Sequence, residues 1–315
     1  MVVTACMRAD HGYMELQQLR YVVEVAATSS FTRAAERCFV TQSALSHQIA
    51  ALERELGRRL FIRSSRSVRL SEAGEAFVGH ARAAVWAAEQ AREDAAAVDG
   101  AVVGTLRIGV IPTVTAIDLP AVLVAFRGQH PQARVELQVG NSDTLVTRLR
   151  RGDLDVALLG LRDGVDPVGV ASRVLSRDRL VAAVPRGHAL AGAEPIRIED
   201  LADQTFADFP AATSGRAQSD AAFTSAGVTR DVAFEADSAT LILGLVEAGL
   251  AVTLLAPETV SRSGADVVTI DVLDGPRRVE YVAWDQAAPR TVATAFLAVL
   301  AAVPGEHGSE ASSSS

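Results

Sequence analysis

Residues 31–63 read FTRAAERCFVTQSALSHQIAALERELGRRLFIR, and their pattern decides the N-terminal fold. Leu45, Ile49, Leu52 and Leu56 recur at helical spacing and share one face, which leaves Gln42, Ser43, Ser46, His47 and Ala50 on the other. Thr41 can accept from first-turn amides and Gly57 can end the helix, so a helix from Gln42 to about Leu56 is expected, preceded by one over Phe31–Cys38 that Ser30 can cap. A polar outer face is the ordinary property of a surface helix. Here, however, short hydrogen-bonding side chains beside Ala50 suit the major groove of DNA. Arg58, Arg59, Arg63, Arg66 and Arg69 follow, where guanidinium groups can track phosphates; for Arg58 and Arg59 a solvated face serves equally.

Upstream, Leu16, Leu19, Val22, Val23 and Ala26 mark another helix, whereas residues 1–13 have no periodicity and read as a disordered tail. Downstream, Leu60–Arg63 and Val68–Leu70 are short β-type runs separated by a polar stretch, a hairpin or wing. Residues 14–70 therefore form a winged helix-turn-helix. Ser71 can cap a linker helix over 71–98, whose roughly 27 residues at ~1.5 Å each reach about 40 Å. Its stripe of Phe77, Ala81, Ala84, Val85, Ala88 and Ala91 suits a partner helix, the alternative being a monomeric connector.

From Thr105 the pattern changes to strands alternating with helices: LRIGV, ARVELQV and DVALLGL with helices between, then LVAAV, DVAFE and AVTLL with helices between. This is α/β architecture with a parallel sheet, in two similar units. Subdomain I takes 105–178 and, through VEYVAW and a final helix, 272–303; subdomain II takes 179–271; residues 304–315 read as a second disordered tail.

The net charge of −8 argues against a nucleic-acid partner until it is divided along the chain. Residues 14–70 carry nine Arg against five acidic residues, and residues 99–315 carry 18 Arg against 27. A basic module precedes an acidic body, which keeps a DNA contact local. The cysteines, Cys6 and Cys38, form no CxxC motif, which fits a reducing cytoplasm, and Cys38 reads as a small core residue. The opening residues do not resemble a signal peptide, and no run suits a membrane span. GxSxG, GxGxxG, P-loop and HExxH motifs are missing, and the six histidines lack metal-ligand spacing. No enzyme, cofactor or metal site is expected.

The stretch from Leu16 to Phe77 resembles the DNA-binding domain of LysR-type transcriptional regulators over its whole length, most closely in FTRAAE, TQSALSHQIAALE, LGRRLFIR and LSEAGE. The resemblance implies base and nearby phosphate contacts from Thr41, Gln42, Ser43, Ser46 and His47, with backbone contacts from Arg33, Arg63 and Arg66. His47 departs from the Arg or Gln more usual there. The family's C-terminal half is similar to periplasmic substrate-binding proteins, so an effector would sit between two α/β lobes. Thr113, Asn141, Ser142, Phe209 and Pro210 match cleft positions, although the hydroxyl and amide groups there equally serve as helix caps, and LVEAGLAVTLLAP matches a bordering segment. The implied partners are a promoter inverted repeat in double-stranded DNA, a small carboxylate or aromatic acid, and further copies of the chain forming a homodimer and then a homotetramer. Effector binding would shift lobe closure or dimer angle and thereby DNA bending. Thiol-based peroxide sensing is disfavoured because no cysteine follows Cys38.

Overall fold

The computed structural model describes residues 14–64, 67–97, 101–193, 195–286 and 289–303. Both expected tails and Arg66 lie outside them. The chain divides between Arg92 and Glu93 into two compact units.

The first unit contains α1 (Leu16–Thr28), α2 (Phe31–Arg37), α3 (Gln42–Leu56), the hairpin β1 (Phe61–Arg63) and β2 (Val68–Leu70), and most of α4 (Glu72–Ala97). Ser30, Thr41 and Ser71 cap helices as their positions suggest, accepting from Arg33 N (3.3 Å), Ala44 N (3.2 Å) and Gly74 N (3.0 Å). Val22, Val25, Ala34, Leu45, Ile49 and Leu52 have no exposed surface and make the core of the three-helix cluster. Leu19 and Val23 of the expected face pack instead toward α4. Leu16 and Leu56, also expected in the core, are 42% and 37% exposed, as the first residue of α1 and the last of α3, while Val25 is buried. The stripe on α4 is also divided: Ala81 and Val85 pack on Leu19, with Phe77 and Val23 alongside, whereas Ala84 and Ala91 are exposed. Part of the face expected to await a partner helix is thus covered by α1 of the same chain.

The second unit has two lobes. Lobe I holds β3 (Gly104–Val110), α5 (Leu119–Gln129), β4 (Ala133–Val139), α6 (Ser142–Arg150), β5 (Val156–Arg162) and β6 (Ala171–Arg179), completed by β12 (Arg277–Trp284) and α10 (Thr291–Ala302). The sheet order is β4-β3-β5-β12-β6. On β5, Val156 and Leu158 join the core under α5 and α10, and Ala157, Leu159 and Leu161 join the core under α6. Both faces are covered, so the strand reads as a continuous apolar run. Lobe II holds β7 (Val181–Pro185), β8 (Thr205–Asp208), α7 (Ser214–Ala226), β9 (Asp231–Glu235), α8 (Ala239–Glu247), β10 (Thr253–Leu255), α9 (Pro257–Ser263) and β11 (Val267–Ile270).

The expected parallel pairing holds for β4, β3 and β5 and for β8 with β9. It fails for β12, antiparallel to β5 and β6, and for β7, antiparallel to β10 and β11. The reason is connectivity. A parallel neighbour in one lobe is reached through a covering helix, whereas β12 enters lobe I from lobe II and is not bound to that direction. His188 in lobe II is structural: its Nδ1 accepts from Leu190 N (3.2 Å), so Nε2 carries the proton toward Gln204 Oε1 (2.9 Å).

Candidate nucleic-acid interface and ligand cleft

Helix α3 begins at the surface. Thr41, Gln42, Ser43 and His47 are exposed and Ser46 is half-buried. Arg63 from β1 donates through Nη1 to Ser46 Oγ (2.9 Å), and its guanidinium lies 3.8 Å from the centre of the Phe31 ring. The wing is tied to the same helix by Glu53, whose Oε1 accepts from Leu60 N (2.8 Å) and Phe61 N (3.2 Å). Buried backbone donors at a chain reversal need such an acceptor. The fold therefore brings Thr41, Gln42, Ser43, Ser46, His47 and Arg63 to one surface. Arg33 instead turns to α1, donating through Nη2 to Thr28 O (2.6 Å). Phe39, which the sequence reading passed over, is 95% exposed with φ 56° in the turn between α2 and α3. Cys38 is half-buried, and burial, reinforced by the Glu24 carboxylate, pushes its thiol up from the ordinary value, away from the reactive thiolate.

In the second unit a cavity of about 350 Å³ opens between the lobes. Thr113, Asn141, Ser142, Phe209 and Pro210 all line it. Asn141 caps α6, its Oδ1 accepting from Thr144 N (2.9 Å), and Ser142 Oγ is 3.0 Å from both Gly160 N and Gly160 O. On the lobe II side, Thr213 caps α7 through Arg216 N (3.3 Å), and Gln218 Nε2 reaches Gly160 O at 3.4 Å. The first turns of α6 and α7 thus edge one cavity, and such turns carry unpaired amides and a partial positive charge. The walls are apolar at Ile111, Pro112, Val139, Phe209 and Pro210. Beside Phe209, burial raises Asp208 above the usual carboxylate range, opposed by Arg230 at 2.7 Å, whose guanidinium carbon lies 5.1 and 5.0 Å from the Phe206 and Phe223 ring centres.

Gly160, Gln218 and Asp237 also line the cavity and were not foreseen. Gly160 left a signal, since a glycine inside an apolar strand marks close approach; an added Cβ would meet Ile111 Cδ1 at 2.8 Å. Residues 245–257, expected at the cleft border, contribute nothing to its lining. They are needed in the core of lobe II, where Val246, Val252, Leu254, Leu255 and Ala256 are at most 3% exposed. Among the described residues no group of His, Cys, Asp and Glu is placed to hold a metal, and no helix is long and apolar enough to cross a membrane.

Residues 16–75 match the family described as bacterial regulatory helix-turn-helix protein, lysR family, and residues 99–304 match the LysR substrate binding domain. The chain belongs to the LysR family. This LysR regulator is 38% identical over 199 residues to the HTH-type transcriptional regulator ShiR of Corynebacterium glutamicum, covering 62% of this chain and 66% of ShiR. It is 34% identical over 251 residues to the transcriptional dual regulator GltC of Bacillus subtilis, covering 78% and 82%. Among solved structures it is similar to a full-length OxyR variant from Pseudomonas aeruginosa (TM-score 0.68, 27% identity, covering 90% of this chain and 95% of that one). It shares its fold with full-length CbnR complexed with its target DNA (TM-score 0.65, 24% identity, covering 92% and 99%). The LysR regulator is a DNA-binding transcriptional regulator with a C-terminal effector-binding domain, and its family and fold are regulatory, not catalytic.

Proposed function

We propose that α3 reads operator DNA and that the interlobe cavity holds the small molecule that controls it. The observation that carries this reading is the convergence of five exposed or half-buried polar side chains, Thr41 at the cap of α3 and four on the helix, flanked by Arg63, at a surface whose other face is packed core. In this reading Thr41, Gln42, Ser43, Ser46 and His47 meet base edges and nearby phosphates, and Arg33, Arg63 and Arg66 meet the backbone. Arg33 would exchange its bond to Thr28 O for a phosphate. The site is an inverted repeat, read by two copies of the chain paired through α4, with dimers pairing to tetramers in the cytoplasm. The working segments are 14–70 for reading, 71–98 for pairing, 105–178 with 272–303 for lobe I and 179–271 for lobe II.

Thr113, Asn141, Ser142, Phe209 and Pro210 hold the effector, whose acidic group faces the first-turn amides of α6 and whose body lies on the apolar walls. A cavity of about 350 Å³ stands at the lower end of the ~300–1,000 Å³ range of small-molecule sites, which matches the size of a small carboxylate or aromatic acid. The effector shifts regulation to the extent that it binds one lobe arrangement more tightly than another.

The test is binding to the DNA upstream of the chain's own gene, followed by fluorescence anisotropy against excess nonspecific competitor. Native protein is expected to protect an inverted repeat. Replacing Ser46 and His47 together by Ala is expected to remove sequence preference while leaving fold and assembly intact; unchanged operator affinity would refute the assignment of α3.

A further inference from the structure

The charge of the cleft does not suit a plain acid. Among the described residues that line it there is one ionisable side chain, Asp237, and no Arg, Lys or His. Asp237 lies between β9 and Ser238, the residue that caps α8, and it is exposed, with no hydrogen bond or ion pair to any described residue. A second carboxylate stands nearby. Asp143 on α6 accepts from Ser214 N (3.0 Å) and Ser214 Oγ (2.6 Å), so a first-turn donor of α7 is already matched by an anion built into the chain. A ligand carboxylate is thus offered the first turn of α6, neutral amides and hydroxyls, while Asp237, the one formal charge in the described lining, repels it; Arg278 and Arg216, which donate to Thr113 O and Phe209 O behind the wall, are each paired with carboxylates of the chain. Within a few ångströms, less than the ~8 Å screening length at physiological salt, such repulsion persists even for an exposed carboxylate. A positive centre on the ligand would reverse its sign.

We infer that the effector is a small amino-acid-like zwitterion, its protonated amine against Asp237 and its carboxylate at the first-turn amides of α6. Ile111, Val139 and Phe209 supply the apolar surface for its side chain. This rests on the cleft being the effector site, as proposed above.

The experiment is calorimetric titration of the full chain with the twenty common L-amino acids, each beside the acid lacking its amine and the amine lacking its carboxylate. Native protein, Asp237→Asn and Thr144→Trp are compared, the last placing bulk at an exposed position of the lining. At least one amino acid is expected to bind native protein, its amine-free acid binding roughly tenfold more weakly or worse, as for a lost charge-assisted hydrogen bond. Asp237→Asn is expected to lose affinity by the same factor with no change in melting temperature, since the side chain is exposed and unpartnered. The inference is overturned if an amine-free acid binds as tightly as its amino acid, if Asp237→Asn changes nothing, or if no amino acid in the panel binds. The two readings fail differently. Binding that needs the amine but ignores Thr144→Trp removes the ligand from the cleft altogether. Binding abolished by Thr144→Trp yet indifferent to the amine and to Asp237→Asn keeps the cleft and discards the zwitterion.

Discussion

Two charged residues of β12, Arg278 and Glu280, are 3% and 0% exposed, and together they shape one wall of the cleft. Glu280 accepts from Thr115 N (3.1 Å), Thr115 Oγ1 (2.8 Å) and Ala116 N (3.1 Å), while Arg278 donates to Thr113 O (3.1 Å) and Thr115 Oγ1 (3.1 Å). The segment they hold is the one that presents Ile111, Pro112 and Thr113 to the cavity. A buried ion pair adds little net stability, but removing one member strips the other of its close counter-ion. Glu280→Ala is therefore expected to destabilise the protein by about 3–5 kcal/mol in urea unfolding followed by circular dichroism. A loss under about 1 kcal/mol, the scale of a surface ion pair, would show that the loop does not depend on the pair. The burial of Glu280 follows only from β12 lying between β5 and β6.

Helices were more legible than strands because they are punctuated locally. Ser30, Thr41 and Ser71 each mark a start, and Gly57 marks the end of α3 at φ 64°, a left-handed conformation that costs any residue with a Cβ. An added Cβ at Gly57 would meet nothing within 4 Å, which isolates the backbone effect from packing. Gly57→Ala is expected to cost about 1 kcal/mol in the thermal unfolding of the protein, and no change in melting would mean that the chain relaxes into another ending. Strand β6 shows the opposite case. Its ASRVLSRDR has no apolar alternation because it is an edge strand with largely solvated side chains, and pairing with β12 alone makes it a strand. Helix α9 and strand β11 are seven and four residues long, too short for periodicity to stand out.

For the molecule as a whole, the charge partition sets how it meets DNA. Nine Arg against five acids in residues 14–70 and 18 against 27 in residues 99–315 attract phosphate to one unit and repel it from the other. Operator affinity is expected to fall linearly on a log–log plot against salt, and Arg63→Ala to weaken binding across sequences while reducing the slope by about 1. An unchanged slope would mean that Arg63 serves only to hold Ser46 and Phe31, the two groups it touches in this structure. Reducing the arginine to alanine leaves Ser46 Oγ exposed enough to hydrate, so loss of fold does not confuse the result.

Local order along the chain was enough for the helix-turn-helix, the wing, the long linker and the alternation of strands and helices, because caps, turn residues and periodic apolar positions act between near neighbours in sequence. The five cleft-lining residues came from the family resemblance, and their place fits the rule that strand-to-helix junctions in α/β lobes collect at one edge. Strand direction, the burial of Glu280, the partial covering of the α4 stripe by α1 and the sign of charge in the cleft came only with the tertiary structure. Each depends on which distant segments meet: β12 crossing from lobe II, α1 folding onto α4, and Asp143 reaching Ser214 across 71 positions of sequence. No local pattern encodes those encounters, because the free energy that selects them is released only when whole faces are buried together.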